Sequence, residues 1–114
     1  CIENRAADMT MNVYLALSMT SSAAIEGIEK KIHPGEPTDQ DLYNMTESEF
    51  KKLGIKRLPR NLLVAIEALK NDKLTDEVLG PVMKKSLLAY KNDEWERYHQ
   101  AVTDWEVKEY LRLY

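Results

Sequence analysis

The sequence has a single cysteine, Cys1, so no disulfide can form within the chain and the redox compartment stays open. Its two histidines, His33 and His99, and that one cysteine make no Cys/His zinc spacing and no serine–histidine–aspartate arrangement. No phosphate-cradling loop of the Walker or Rossmann type occurs, and four glycines in total leave little room for one. Positive charge is also short: 16 Lys and Arg against 19 Asp and Glu give a net charge of −3, which speaks against nucleic acid or an anionic membrane as partner. The longest apolar run, Val13 to Ile25, is broken by Ser18, Thr20, Ser21 and Ser22, so it falls short of the roughly 20 apolar residues that cross a bilayer.

What is present is a globular composition, with 44% hydrophobic and 31% charged residues over 114 positions, enough for one domain or part of one. There is no initiator Met and no basic-then-apolar leader. A lipid anchor on Cys1 is disfavoured because the cysteine leads straight into an apparent strand. The expectation is a piece cut from a larger soluble protein.

The fold expected is mainly α, a short N-terminal strand followed by about five helices. The strand is Cys1 to about Asp8, where alternation puts Glu3 and Arg5 on one face and Ile2 on the other. A carboxylate beside a guanidinium in that way can hold a metal next to an anionic substrate, or can be an ordinary surface ion pair. From Asn12 to about Ile32 the spacing of Val13, Leu17, Ala24, Ile25, Ile28 and Ile32 predicts a helix. Its first half is apolar nearly all round, the mark of a central helix, and the rest of the chain offers little to surround it. His33-Pro34-Gly35-Glu36-Pro37 forces a loop.

Thr46-Glu47-Ser48-Glu49 is a capping box with Met45 and Phe50 as its staple, opening a short helix that stops at Gly54. A third helix runs Leu62 to Lys70, followed by a polar break at Asn71-Asp72-Lys73 and a helical turn from Thr75. Gly80-Pro81 interrupts that turn, and a long amphipathic helix follows from Val82 to Val102. A second capping box, Thr103-Asp104-Trp105-Glu106, opens the last helix, with Val102 and Val107 as staple and Tyr110, Leu111, Leu113 and Tyr114 as its apolar end. Neither histidine has the partners a ligand or base needs. Lys51, Lys52, Lys56, Arg57 and Arg60 are interleaved with Leu53, Ile55 and Leu58 and read as a solvated connection, with phosphate contact the minor alternative. The aromatics of the last two helices follow helical spacing and read as packing rather than a binding cage.

One set of motifs goes further. Glu3-x-Arg5-x-x-Asp8-x-x-x-Asn12-x-Tyr14-Leu15 resembles the last active-site motif of glutamine synthetases. The resemblance continues in register through Gly27-Ile28, Lys31-Ile32, Pro34-Gly35-Glu36-Pro37 and Leu42-Tyr43. It covers nearly the whole chain, so that residues 1–114 are expected to be the C-terminal helical part of the family's α/β catalytic domain. Proline is common in the family where Ala7 and Val13 stand here. The tail, Glu94-Trp95-Glu96-Arg97-Tyr98 with Val102-Thr103-Asp104-Trp105-Glu106 and Tyr110-Leu111, looks more like the branch that ligates glutamate to amines such as methylamine or putrescine.

The resemblance implies a cytoplasmic ATP-dependent ligase that joins glutamate to ammonia or a small amine through a γ-glutamyl phosphate. It implies Mg2+ or Mn2+ and a ring-shaped homo-oligomer in the parent, while the net charge and the broken apolar run lead to the expectation of no nucleic acid and no membrane as partner. Glu3 falls at a metal-ligand glutamate, and Arg5 at the catalytic arginine that contacts the glutamate substrate. Tyr43 falls at the tyrosine that some bacterial enzymes adenylylate, although Gln40-Asp41-Leu42-Tyr43-Asn44-Met45 differs from the regulated sequence and a packed loop tyrosine is the alternative. The rest of the site is absent from these residues, so the expectation is that the chain alone holds no ATP or metal and is inactive. The competing readings are a helical interaction or regulatory domain that kept the fold without activity, and a nucleic-acid-binding helical domain.

Overall fold

The computed structural model describes residues 3–111 and 113, which fall into two compact units, Cys1–Leu58 and Pro59–Tyr114. Among the described residues there is no strand, which corrects the expected N-terminal strand; Cys1 and Ile2 lie outside them. Side chains there take up backbone donors that a ladder would use. Asn4 Oδ1 accepts from the Ala6 N–H at 3.0 Å, and Asp8 Oδ1 accepts from the Thr10 N–H at 2.7 Å. The Met11 N–H closes a turn onto the Asp8 carbonyl at 3.1 Å. Asn and Asp compete with regular structure in this way, and the segment folds as two side-chain-closed turns.

Helix α1 spans Val13–Glu29 and begins where Asn12 Oδ1 accepts from the Tyr14 and Leu15 N–H groups. It stops three residues before Ile32. Lys31 turns into the left-handed region at φ 50°, its N–H donating to Ile28 O and the Ile32 N–H to Gly27 O. That is a Schellman closure with lysine at the position glycine usually takes. No residue of α1 is fully buried: Leu15, Ala16 and Met19 are half-buried, while Tyr14 is 83% and Ile28 76% exposed, so much of the apolar circumference lies open. A single 3-10 turn, Leu42–Asn44, precedes α2, Glu47–Lys52.

The capping box that opens α2 forms as expected, with the Thr46 N–H donating to Glu49 Oε2 at 2.7 Å and the Thr46 hydroxyl to the same oxygen at 2.6 Å. Gly54, at φ 67°, closes α2 with the same double bond pattern that Lys31 gives α1. Phe50 is buried, and the Arg57 guanidinium lies 4.0 Å from its ring centroid.

The second unit is a helical hairpin followed by a short helix. Helix α3, Leu62–Asn71, is capped by Asn61, and α4, Lys73–Gln100, begins after Asp72 alone. Asp72 turns the corner: its carboxylate accepts from the Leu74 N–H at 2.7 Å and from the Thr75 N–H at 3.4 Å. The buried Thr75 hydroxyl lies 2.9 Å from Leu69 O and 2.7 Å from Asp72 O and donates to these carbonyls at the end of α3. The interruption expected at Gly80-Pro81 is a kink inside α4, where Gly80 takes φ 68° and ψ 168°. A Cβ at Gly80 would meet nothing within 4 Å, so the backbone angle alone asks for glycine. Ile66, 3% exposed, is the apolar centre of the hairpin. Helix α5, Asp104–Tyr110, starts with the second capping box, while Val102 of its staple stays 78% exposed.

Candidate functional site

Glu3 and Arg5 come together as the spacing predicts, but through a turn. Arg5 Nε donates to Glu3 Oε1 at 2.7 Å and Nη2 to Oε2 at 3.3 Å, a two-point pairing of guanidinium and carboxylate. The side chains are 84% and 66% exposed, so the pair is open to solvent and to whatever approaches it. The Asp8 carboxylate is used locally, accepting from the Thr10 hydroxyl at 2.6 Å. These residues do not by themselves fit a magnesium or manganese ion. Such an ion takes about six oxygens, and among the described residues no three His, Cys, Asp or Glu gather to supply them. Glu3 brings a single carboxylate, already paired with Arg5.

Tyr43 lies on the 3-10 turn, fully exposed, its N–H bound to Asp41 Oδ1 at 3.0 Å. His33 closes its own loop, with Nδ1 accepting from the Gly35 N–H at 3.1 Å. His99 stacks on Trp95, ring centroids 3.8 Å apart. In the basic segment, Arg57 pairs with Glu47 at 3.4 Å as well as covering Phe50. No helix among the described residues is long and apolar enough to cross a membrane.

One feature the sequence reading did not assemble is a cleft of about 320 Å3 within the second unit, lined by Asn61, Leu62, Glu94, Trp95 and Tyr98. It brings the start of α3 beside the far end of α4. Glu94 is held there by Lys91, Nζ to Oε2 2.7 Å. The signal in the sequence was the pair Trp95 and Tyr98, three apart and so on one helix face, although nothing local names the α3 residues opposite.

The class these features define is a mainly helical piece carrying an acid–arginine pair ahead of an apolar helix. A family model described as "Glutamine synthetase, catalytic domain" matches residues 1–110. The chain belongs to that family. It is 39% identical over 110 residues to a glutamine synthetase of Methanocaldococcus jannaschii, covering 96% of this chain and 24% of that protein. It is 36% identical over 112 residues to one of Methanococcus maripaludis, covering 98% of this chain and 25% of that protein. A glutamate–methylamine ligase of Methyloversatilis universalis is also 36% identical, over 113 residues, with 99% of this chain and 25% of that protein covered. The chain therefore spans about a quarter of the length of these curated relatives.

Proposed function

We propose that these residues are the C-terminal helical part of the catalytic domain of a ligase that joins glutamate to ammonia or a small amine at the expense of ATP. The observation that carries the reading is the two-point Glu3–Arg5 pair at the start of a chain matched along nearly its whole length by the glutamine synthetase family. In the full-length protein Arg5 binds a carboxylate of the glutamate substrate, for which a planar fork is suited. Glu3 supplies one oxygen donor to a divalent metal whose other ligands lie outside this chain. Bound metal and ATP would supply phosphoryl activation of the glutamate side chain, and this chain's residues contribute charge placement at one edge of that site.

The pairing within this chain fits a site completed by other segments. Each group is preorganised by the other, and both remain exposed enough to exchange that partner for a substrate or metal. On this reading the 114 residues alone turn over no substrate, and the parent is a cytoplasmic ring-shaped oligomer. Tyr43, exposed on its turn, is the position for nucleotidyl modification in the parent. Intact-mass measurement of the parent and its Tyr43→Phe variant, isolated from its own cells, checks that part separately.

The deciding experiment measures ATP turnover by the full-length protein with glutamate and, in parallel, ammonia, methylamine and putrescine. Turnover that requires glutamate and one of these acceptors supports the reading and names the acceptor. Turnover independent of glutamate, or none with any acceptor in the presence of magnesium or manganese, overturns it.

A further inference from the structure

Helix α4 bends at Gly80, and one lysine spans the bend. Lys84, on the far side of the kink, is buried to 6% exposure. Its Nζ donates to Asp76 Oδ1 at 2.7 Å, on the near side, and to the Asp72 carbonyl at 3.1 Å, at the corner between α3 and α4. A lysine is rarely buried to this degree unless paired, because removing an ammonium from water is costly. Here the ammonium is paid back by a carboxylate and a helix-end carbonyl together. Beyond the packing of α3 on α4 around Ile66, the backbone at the bend is permissive. Gly80 has open space around it, and Pro81 removes the backbone donor that would continue the helix.

We infer that Lys84 is a latch across a hinge at Gly80, and that it sets the angle between residues 73–79 and 81–100. The consequence is felt at the opposite end of the hairpin. Asn61 and Leu62 open α3, and Glu94, Trp95 and Tyr98 sit near the end of α4; these are the walls of the 320 Å3 cleft. Changing the angle at Gly80 swings the long arm of α4 relative to α3, so the latch governs how wide that cleft stands. Asp76 is the releasable half, since its side chain is 62% exposed whereas that of Lys84 is 8% exposed. Thr75, buried and bound to Leu69 O and Asp72 O, fixes the corner on which the latch closes.

The test uses the full 114-residue chain with Cys1→Ser, spin-labelled at Ala68→Cys on α3 and Glu96→Cys on the long arm, both exposed positions. Pulsed electron–electron resonance then reads the α3-to-arm distance distribution. Lys84→Met keeps the unbranched apolar stem, one atom shorter, without the charge, and Asp76→Asn removes the charge of the exposed partner. Both variants are expected to broaden the distribution and move its mean outward relative to the parent, with Asp76→Asn intermediate because the Asp72 carbonyl contact survives. Helix content by circular dichroism accompanies each. A folded Lys84→Met chain with the parental distribution overturns the latch. If Lys84→Met loses its helix content, Asp76→Asn decides: an unchanged distribution there overturns the latch, and a broadened one supports it.

Discussion

The Arg5 guanidinium grips the Glu3 carboxylate at two points, Nε to Oε1 2.7 Å and Nη2 to Oε2 3.3 Å, from two residues away along a turn. Exposed pairs of this kind contribute at most about 1 kcal/mol to folding, so their value is in what the groups can be offered to. On the proposed reading of the full-length protein as a ligase, Arg5→Lys keeps the charge but loses the fork. It is expected to lower kcat/KM for glutamate by about 10- to 100-fold, the worth of a charge-assisted hydrogen bond. Glu3→Gln is expected to raise the metal concentration for half-maximal rate by about tenfold or more, or about 1.4 kcal/mol of lost affinity per decade. Thermal unfolding of both variants should stay within about 0.5 kcal/mol of the parent. Steady-state kinetics with glutamate and magnesium varied separately, beside a melting curve, distinguishes these outcomes from simple misfolding.

The two capping boxes make an acid-sensitive pair of helix starts. Glu49 is held below the ordinary glutamate range, first by the Thr46 hydroxyl and then by the Thr46 N–H. Glu106 is lowered likewise, first by the Thr103 N–H at 2.7 Å and then by its hydroxyl at 2.8 Å. A carboxylate lowered in the folded state stabilises that state fully above its unfolded-state value. The contribution is lost as pH falls through the lowered folded-state value. The first turns of α2 and α5 are therefore expected to loosen on acidification below the usual glutamate range. Carbon-detected NMR titration of the two side-chain carboxyls checks this, and Thr46→Val and Thr103→Val should return each midpoint toward its ordinary value.

The helices were legible because their signals are local. Asn12, Thr46, Asn61 and Thr103 are capping residues by type, Gly54 is a stop by backbone angle, and Gly80-Pro81 announces an interruption. The strand was misread because alternation over a few residues says nothing about a neighbour to pair with, and Asn4 and Asp8 had the chemistry to close turns instead. The Glu3–Arg5 pairing survived the error, since two long side chains two residues apart meet on a turn as well as on a strand. The Lys84 contact was invisible for a different reason. It joins residues 8 and 12 positions apart across a kink whose angle no local pattern specifies.

Lys31 carries a cost the sequence did not announce. A side chain at φ 50° crowds its own backbone by about 1–2 kcal/mol relative to the right-handed region, which glycine avoids. Glycine in turn gives up about 0.4–1 kcal/mol through its freer unfolded chain. Lys31→Gly is therefore expected to stabilise the end of α1 by about 0.5–1 kcal/mol, and Lys31→Pro, which cannot adopt that angle, to unravel it. Amide exchange at Lys30 and Ile32 reads both changes directly, slower in the first and faster in the second.

Helix α1 supplies the last test, because the apolar face that carries Leu17 and Ile28 is exposed within the described unit. Ile28 is 76% exposed and Leu17 64% exposed, in a helix with no buried residue. Truncating an exposed side chain changes stability by less than about 0.5 kcal/mol, so Ile28→Ala should leave the unfolding of the 114-residue chain nearly unchanged. If the remainder of a longer protein packs over α1, as a largely apolar helix demands, the same substitution in the full-length protein removes buried methyl groups. It should then cost about 2–5 kcal/mol. Urea unfolding of both lengths, each with and without Ile28→Ala, gives the comparison. Equal and small effects in the two would mean that α1 stays open in the parent as well.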